Sequence, residues 1–242
     1  MTDLAKRFLS VTQKIEAVAL AAGRKSSSVR LLAVSKTFDA ALVEALWGKG
    51  HRAFGENYVQ EALVKIEALK SVRTAGKSIE WHLIGPLQSN KTAVVAEHFD
   101  WVQTIDRFKI AQRLNDQRPA HLPALNVCIQ VNVDGGMTKS GVDCTISPEA
   151  ALDLARQIGG LERLALRGLL AIPESESDAF KQQAVFTKVK AVFDFLNTNL
   201  DARHQLDTLS MGMSADFEAA IAAGSTMVRI GSAIFGERQY AA

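Results

Sequence analysis

Short apolar runs alternate with amphipathic stretches along the chain, at a spacing regular enough to predict a fold. Residues 1–22 place apolar side chains at helical intervals among Asp3, Lys6, Arg7, Lys14 and Glu16, which predicts an N-terminal helix. Leu31-Leu32-Ala33-Val34 then runs without interruption into Ser35-Lys36, the pattern of a strand buried on both faces. Further strands are predicted at residues 52–57, 80–85, 101–105, 124–133, 164–172, 207–212 and 227–231. Helical segments separate them. Asp39 is the predicted cap of a helix through Trp47, and Asn57 with Gln60 resembles a capping box opening a helix to about Leu69. Ser89 is placed at the start of the helix holding Ala93 to His98, and Pro148 at the first position of another. Ser214 is expected to cap Ala215 to Ala223, with Gly224 at the far end. Alternating strands and helices imply a parallel sheet. Eight such units predict a single (β/α)8 TIM barrel over residues 1–242 with an extra N-terminal helix; a doubly wound open sheet is the alternative. A barrel puts its working groups at the carboxyl ends of the strands. Lys36, Asn57, His82, Thr104, Asn132, Ser210 and Arg229 all fall in or just after a strand.

Composition changes this picture little. Of 242 residues, 48% are hydrophobic and 22% charged, ordinary for a domain with a sizeable core. A formal charge of +2 argues against nucleic acid or an anionic membrane as partner. Cys128 and Cys144 make no disulfide framework and fit a reducing compartment. No apolar stretch reaches the roughly 20 residues needed to span a bilayer, and the N-terminus lacks the apolar core of a secretory signal. A cytoplasmic protein is expected.

Three features carry candidate chemistry. Leu32, Val34 and Lys36 share one strand face, so the lysine ends the strand aimed with core residues. A buried ammonium is costly unless it is paired, neutralised or used covalently; the structural alternative is a packed stem with its head in solvent. Two glycine-rich turns, Ser210-Met211-Gly212-Met213-Ser214 and Arg229-Ile230-Gly231-Ser232, follow the seventh and eighth strands, where barrels often bind phosphate. Glu237 follows Gly236 where a P-loop requires lysine. Arg229 would point inward as Lys36 does, unless it pairs with a core carboxylate such as Glu56. His82 reads first as a hydrogen-bonded core histidine. The five histidines show no metal-binding spacing, so no metal site is expected, and no Gly-x-Ser-x-Gly elbow appears. A lysine able to form a Schiff base, an anion cradle opposite it and an arginine between them describe a site for pyridoxal phosphate.

At these residues the chain resembles the pyridoxal phosphate homeostasis family, relatives of the alanine racemase barrel domain. The matching segments are AVSKT at 33–37, FGENYVQE at 54–61, WHLIGPLQSNK at 81–91 and SMGMSADFEAAIAAGSTMVRIGSAIFG at 210–236. The resemblance implies that Lys36 holds pyridoxal phosphate as a Schiff base and that Arg229 faces the pyridine nitrogen. It implies phosphate binding by Ser210, Gly231 and Ser232, with Asn57, His82 and Ser214 nearby.

Arginine cannot give a proton to the pyridine nitrogen at neutral pH, so the ring remains a weak electron sink. A two-base racemase also needs an acid–base group opposite the lysine; neither Tyr58 nor Tyr240 has an evident claim to that role. Non-catalytic binding and delivery to apo pyridoxal-dependent enzymes is therefore the first expectation, from a monomer with no catalytic residues assigned. A pyridoxal-dependent racemase or lyase, an aldolase using Lys36 on a phosphosugar, and a structural barrel are the alternatives.

Overall fold

The computed structural model describes residues 2–71, 78–135, 140–174 and 178–236. The loops after residues 71, 135 and 174 fall partly outside that range, and Tyr240 wholly so.

Eight parallel strands close a TIM barrel: β1 Arg30–Val34, β2 Ala53–Glu56, β3 Glu80–Leu83, β4 Trp101–Ile105, β5 Leu125–Asn132, β7 Leu164–Ala171, β8 Thr208–Ser210 and β9 Met227–Ile230. Their order is β4-β3-β2-β1-β9-β8-β7-β5, and β4 pairs with β5 to complete the ring. The helices are α1 Asp3–Ala21, α2 Ala40–Trp47, α3 Val59–Ala68, α4 Thr92–His98, α5 Phe108–Gln117, α6 Glu149–Gly159, α7 Ala179–Asn199, α8 Phe217–Ala222 and α9 Ser232–Phe235. One strand is additional to the predicted set: β6, Val142–Asp143, lies against the end of β5 outside the ring.

Period-two alternation divides each strand between two environments. Leu32 and Val34 of β1 join Ala53, Ile84 and Met227 in a cluster inside the barrel. Ala33, between them, belongs to the outer core under the helices with Phe54, Trp81 and Leu83. The extra helix α1 buries Leu4, Val11, Ile15 and Ala19 on that outer core. Its Arg7 Nε donates to the Ile234 carbonyl at 2.8 Å, tying α1 to the short helix behind the last turn.

Two predicted caps are corrected. Asn57 does not cap α3; Tyr58 holds that position in extended conformation, with no side chain accepting there. The backbone of Asn57 is instead pressed against Gly85, where a Cβ would lie 2.2 Å from the Asn57 carbonyl oxygen. Only glycine permits that approach. Ser214 likewise does not cap α8, which begins at Phe217 after Asp216. The Asp216 carboxylate accepts the Met213 amide at 2.5 Å, drawing 213–216 into a turn before the helix starts. Pro148 stands at the cap of α6 rather than in its first turn.

His51 illustrates a pH-sensitive part of this packing. Its ring meets Phe8 at 5.3 Å and Phe54 at 5.1 Å, and Nε2–H donates to the Ala53 carbonyl at 2.7 Å. Burial lowers its pKa to about 4, with Arg30 and Arg52 adding to the fall and the Ala53 bond opposing it. The folded value lies below the unfolded one near 6.5, so the unfolded chain binds more protons between the two. Stability should therefore fall as pH drops through that window, by about 3 kcal/mol if fully expressed. Thermal melts from pH 7 to 4 are expected to show this slope, flattened in His51→Gln; identical slopes would remove His51 from the account.

Candidate functional site

Strand β1 ends at Val34, and the chain turns sharply across Ser35, Lys36 and Thr37. Thr37 has φ of 68°, the one non-glycine residue with positive φ among the described residues. Phe38 then stacks on Phe235 with ring centroids 5.0 Å apart, linking the lysine turn to the turn after β9. Between them opens a cavity of about 370 Å³ lined by Lys36, Asn57, Ser214, Arg229, Gly231 and Ser232, with Val34, Ile84 and Ile172 among its apolar walls. That volume is in the range of small-molecule sites.

Each polar wall group has a structural origin. The Ser232 hydroxyl donates to that of Ser214 at 3.5 Å, so the turns after β8 and β9 meet at one point. A Cβ on Gly231 would come within 3.1 Å of the Val34 carbonyl oxygen, so the missing side chain lets this turn lie close against the end of β1. Arg229, 4% exposed, donates from Nη1 to the Ser210 carbonyl at 2.7 Å and hydroxyl at 3.0 Å, and from Nη2 to the Ala171 carbonyl at 2.9 Å. Burial pulls its pKa down to about 10, a fall that Asp216 opposes. The guanidinium is still charged at neutral pH.

The alternative pairing of Arg229 with Glu56 does not form. Glu56 instead accepts from Lys65 Nζ at 2.8 Å and from the Ser35 hydroxyl at 2.6 Å. Two other sequence candidates lie off the cavity wall. Ser210 is fully buried beneath Arg229, and its hydroxyl donates to Gln103 Oε1 at 2.7 Å. His82 is also fully buried, stacked on Trp101, as its core reading anticipates. Gln103 Nε2 donates to His82 Nδ1 at 2.8 Å, which leaves the His82 Nε2–H to meet Glu80 Oε1 at 2.5 Å. Every donor in this line points the same way, from Arg229 through Ser210, Gln103 and His82 to Glu80. Burial keeps His82 low in pKa against the pull of Glu80. Burial raises Glu80, but His82 and Arg30 outweigh it and hold the carboxyl below its usual value. His82 and Ser210 thus support the arginine from behind.

An adjoining cavity of about 280 Å³ shares Asn57, Ile84 and Ile172 and is also lined by Thr104, Gln130 and Asn132. Lys65 and Gln103 were missed by sequence reading. Lys65 lies on the buried stripe Ala62–Lys65–Ile66, and Gln103 stands within the apolar run of β4. A polar residue at a position that periodicity assigns to the core was the available signal in both cases.

Among the described residues no group of His, Cys, Asp and Glu could hold a metal, and no helix is long and apolar enough to cross a membrane.

The family model for the alanine racemase N-terminal domain matches residues 11–239. A pyridoxal phosphate homeostasis protein of Escherichia coli strain K12 is 52% identical over 241 residues, 99% of each chain. One from Pseudomonas aeruginosa is 50% identical over 242 residues, 100% of this chain and 99% of its own. PipY of Synechococcus elongatus, solved with PLP bound, superposes with a TM-score of 0.81 at 32% identity, covering 97% of this chain and 100% of PipY. An alanine racemase of Clostridium difficile, 15% identical with a TM-score of 0.67 over 88% of this chain and 56% of its own, shares the fold alone.

Proposed function

The chain belongs to the pyridoxal phosphate homeostasis protein family, and on that premise we propose that it binds pyridoxal phosphate without catalysis, as a Schiff base on Lys36. It buffers the cofactor in the cytoplasm and delivers it to apo-enzymes. One observation carries this reading: a primary amine, a buried arginine and two facing serine turns line a single cavity of suitable size.

Bound there, the cofactor supplies an aldehyde carbon that a primary amine can attack. Lys36 presents the amine from the end of β1. Ser214 and Ser232 offer hydroxyls to the phosphate, with Gly231 leaving room beside them. Arg229 is fixed by three hydrogen bonds, and its remaining N–H groups would be the donors available to the ring nitrogen. Asn57 adds an amide to the same wall. With ring protonation denied by arginine, the described wall offers one conventional acid–base group, Lys36 itself. Tyr58 is 57% exposed and not on that wall. A ligand held firmly but weakly activated suits storage and hand-over better than turnover.

Borohydride reduction of the loaded protein, followed by peptide mass spectrometry, is expected to place the cofactor's mass on Lys36. Its appearance solely on another lysine, or on none, would refute the assignment. Brisk α-proton exchange of amino acids in deuterated water would favour a racemase or lyase instead.

A further inference from the structure

Lys36 is flanked by two residues that a single buried charge cluster holds. Lys65, on the inward face of α3, is 4% exposed. Its ammonium donates to the Ser35 carbonyl at 2.7 Å, Glu56 Oε1 at 2.8 Å and Glu61 Oε1 at 2.6 Å. Three N–H groups meet three oxygens, so the ammonium is fully satisfied. The same Glu56 oxygen accepts the Ser35 hydroxyl at 2.6 Å, and the same Glu61 oxygen accepts the Thr37 amide at 2.5 Å. Ser35 is thus held at its carbonyl and hydroxyl, and Thr37 at its amide.

The location makes this more than packing. Strand β1 ends at Val34, and one further bond, from the Ser35 amide to the Gly55 carbonyl at 3.0 Å, ties Ser35 to β2. Lys36 and Thr37 therefore lie beyond the strand, and the cluster acts on the residues either side of the lysine. The next residue adopts the left-handed conformation, which a β-branched side chain disfavours and which persists only when its surroundings impose it. Glu61 supplies that imposition. A buried ion pair is a poor source of stability, since apolar residues of similar volume often do as well, whereas fixing one geometry is a role they cannot fill.

We propose that Lys65, Glu56 and Glu61 are positioning residues that aim the Lys36 amine into the cavity, so that covalent loading depends on a cluster outside the cavity wall. This rests on the reading of Lys36 as the loaded amine. Attack on an aldehyde needs the reacting atoms in line, and a displacement of about 1 Å can cost on the order of 100-fold in rate.

The test uses the full chain, freed of cofactor, mixed with pyridoxal phosphate and followed by visible absorbance. Lys65→Met and Glu61→Ala should each load Lys36 about 10- to 100-fold more slowly. Their binding of pyridoxine phosphate, which lacks the aldehyde, should be unchanged. A role in folding alone would not separate those two readouts. Glu61→Gln, which keeps an oxygen for the Thr37 amide, should recover most of the rate. If wild type never loads Lys36, the functional reading fails first. If wild type loads and both folded variants match its rate, the positioning role is overturned. Should Lys65→Met not fold, Glu61→Ala decides alone, because its side chain lies at the partly exposed edge of the cluster; a wild-type rate there is the overturning result.

Discussion

Lys36→Ala is expected to eliminate covalent loading, with loss of the visible absorbance and of the cofactor's mass after borohydride reduction. Lys36 is the residue on the described cavity wall whose side chain can bond an aldehyde carbon, and alanine offers no nucleophile. Reversible binding should survive in weakened form, because Arg229, Ser214, Gly231 and Ser232 still face the cavity. A fall in affinity of about 100-fold corresponds to roughly 2.7 kcal/mol. The fold should be nearly indifferent, since Lys36 is only partly buried and such substitutions usually stay within about 0.5 kcal/mol. The two effects separate cleanly in melting experiments. Ligand at 100 times its dissociation constant stabilises the wild type by about 2.7 kcal/mol, and at that same concentration most of this gain should vanish in the variant. A Lys36→Ala protein that stays coloured and carries the reduced cofactor on another lysine would defeat the assignment.

The place of Lys36 on the cavity wall was legible in the sequence because its signal is local: an unbroken apolar run ending on a lysine of the inward parity. The turns at 210–214 and 229–232 were legible for the same reason, since glycine and serine spacing records backbone needs within a few residues. The caps at Asn57 and Ser214 were misread because tertiary contacts, Gly85 on one and the Asp216 turn on the other, decided the local conformation. Ser210 and His82 stand on the strands that sequence gave them, yet inward parity alone does not say how deep a side chain lies. The partner that takes each one off the wall is Gln103, whose bond to Ser210 spans 107 positions in the chain. Lys65 reaches Ser35 across 30 positions. No periodicity encodes such pairings; closure of the barrel creates them.

Arg229 gives the other large effect, and there fold and function can be pulled apart. Its guanidinium spans β7, β8 and the strand that carries it, through Ala171 and Ser210. Arg229→Ala leaves these acceptors short of partners and opens a void, while removing a charge that burial disfavours. The balance is an expected loss of about 2–4 kcal/mol, or a melting temperature lower by roughly 5–15 °C. The charge itself is a burden on the folded state. A folded pKa near 10, well below the ordinary arginine value of the unfolded chain, means the unfolded chain binds more protons between the two. The penalty is therefore complete below about pH 10 and fades only as pH rises through that window, so it is fully present at neutral pH. Retaining a costly cation beside an anion cradle makes sense if a ligand answers it. Arg229→Met separates the contributions: it refills the void and removes the buried charge, and should regain the packing part of the stability lost in the alanine variant. It should not regain binding of pyridoxine phosphate, which contacts the wall without covalent chemistry. Stability restored without binding would place Arg229 in ligand recognition; wild-type binding by the methionine variant would reduce it to a strut between strands.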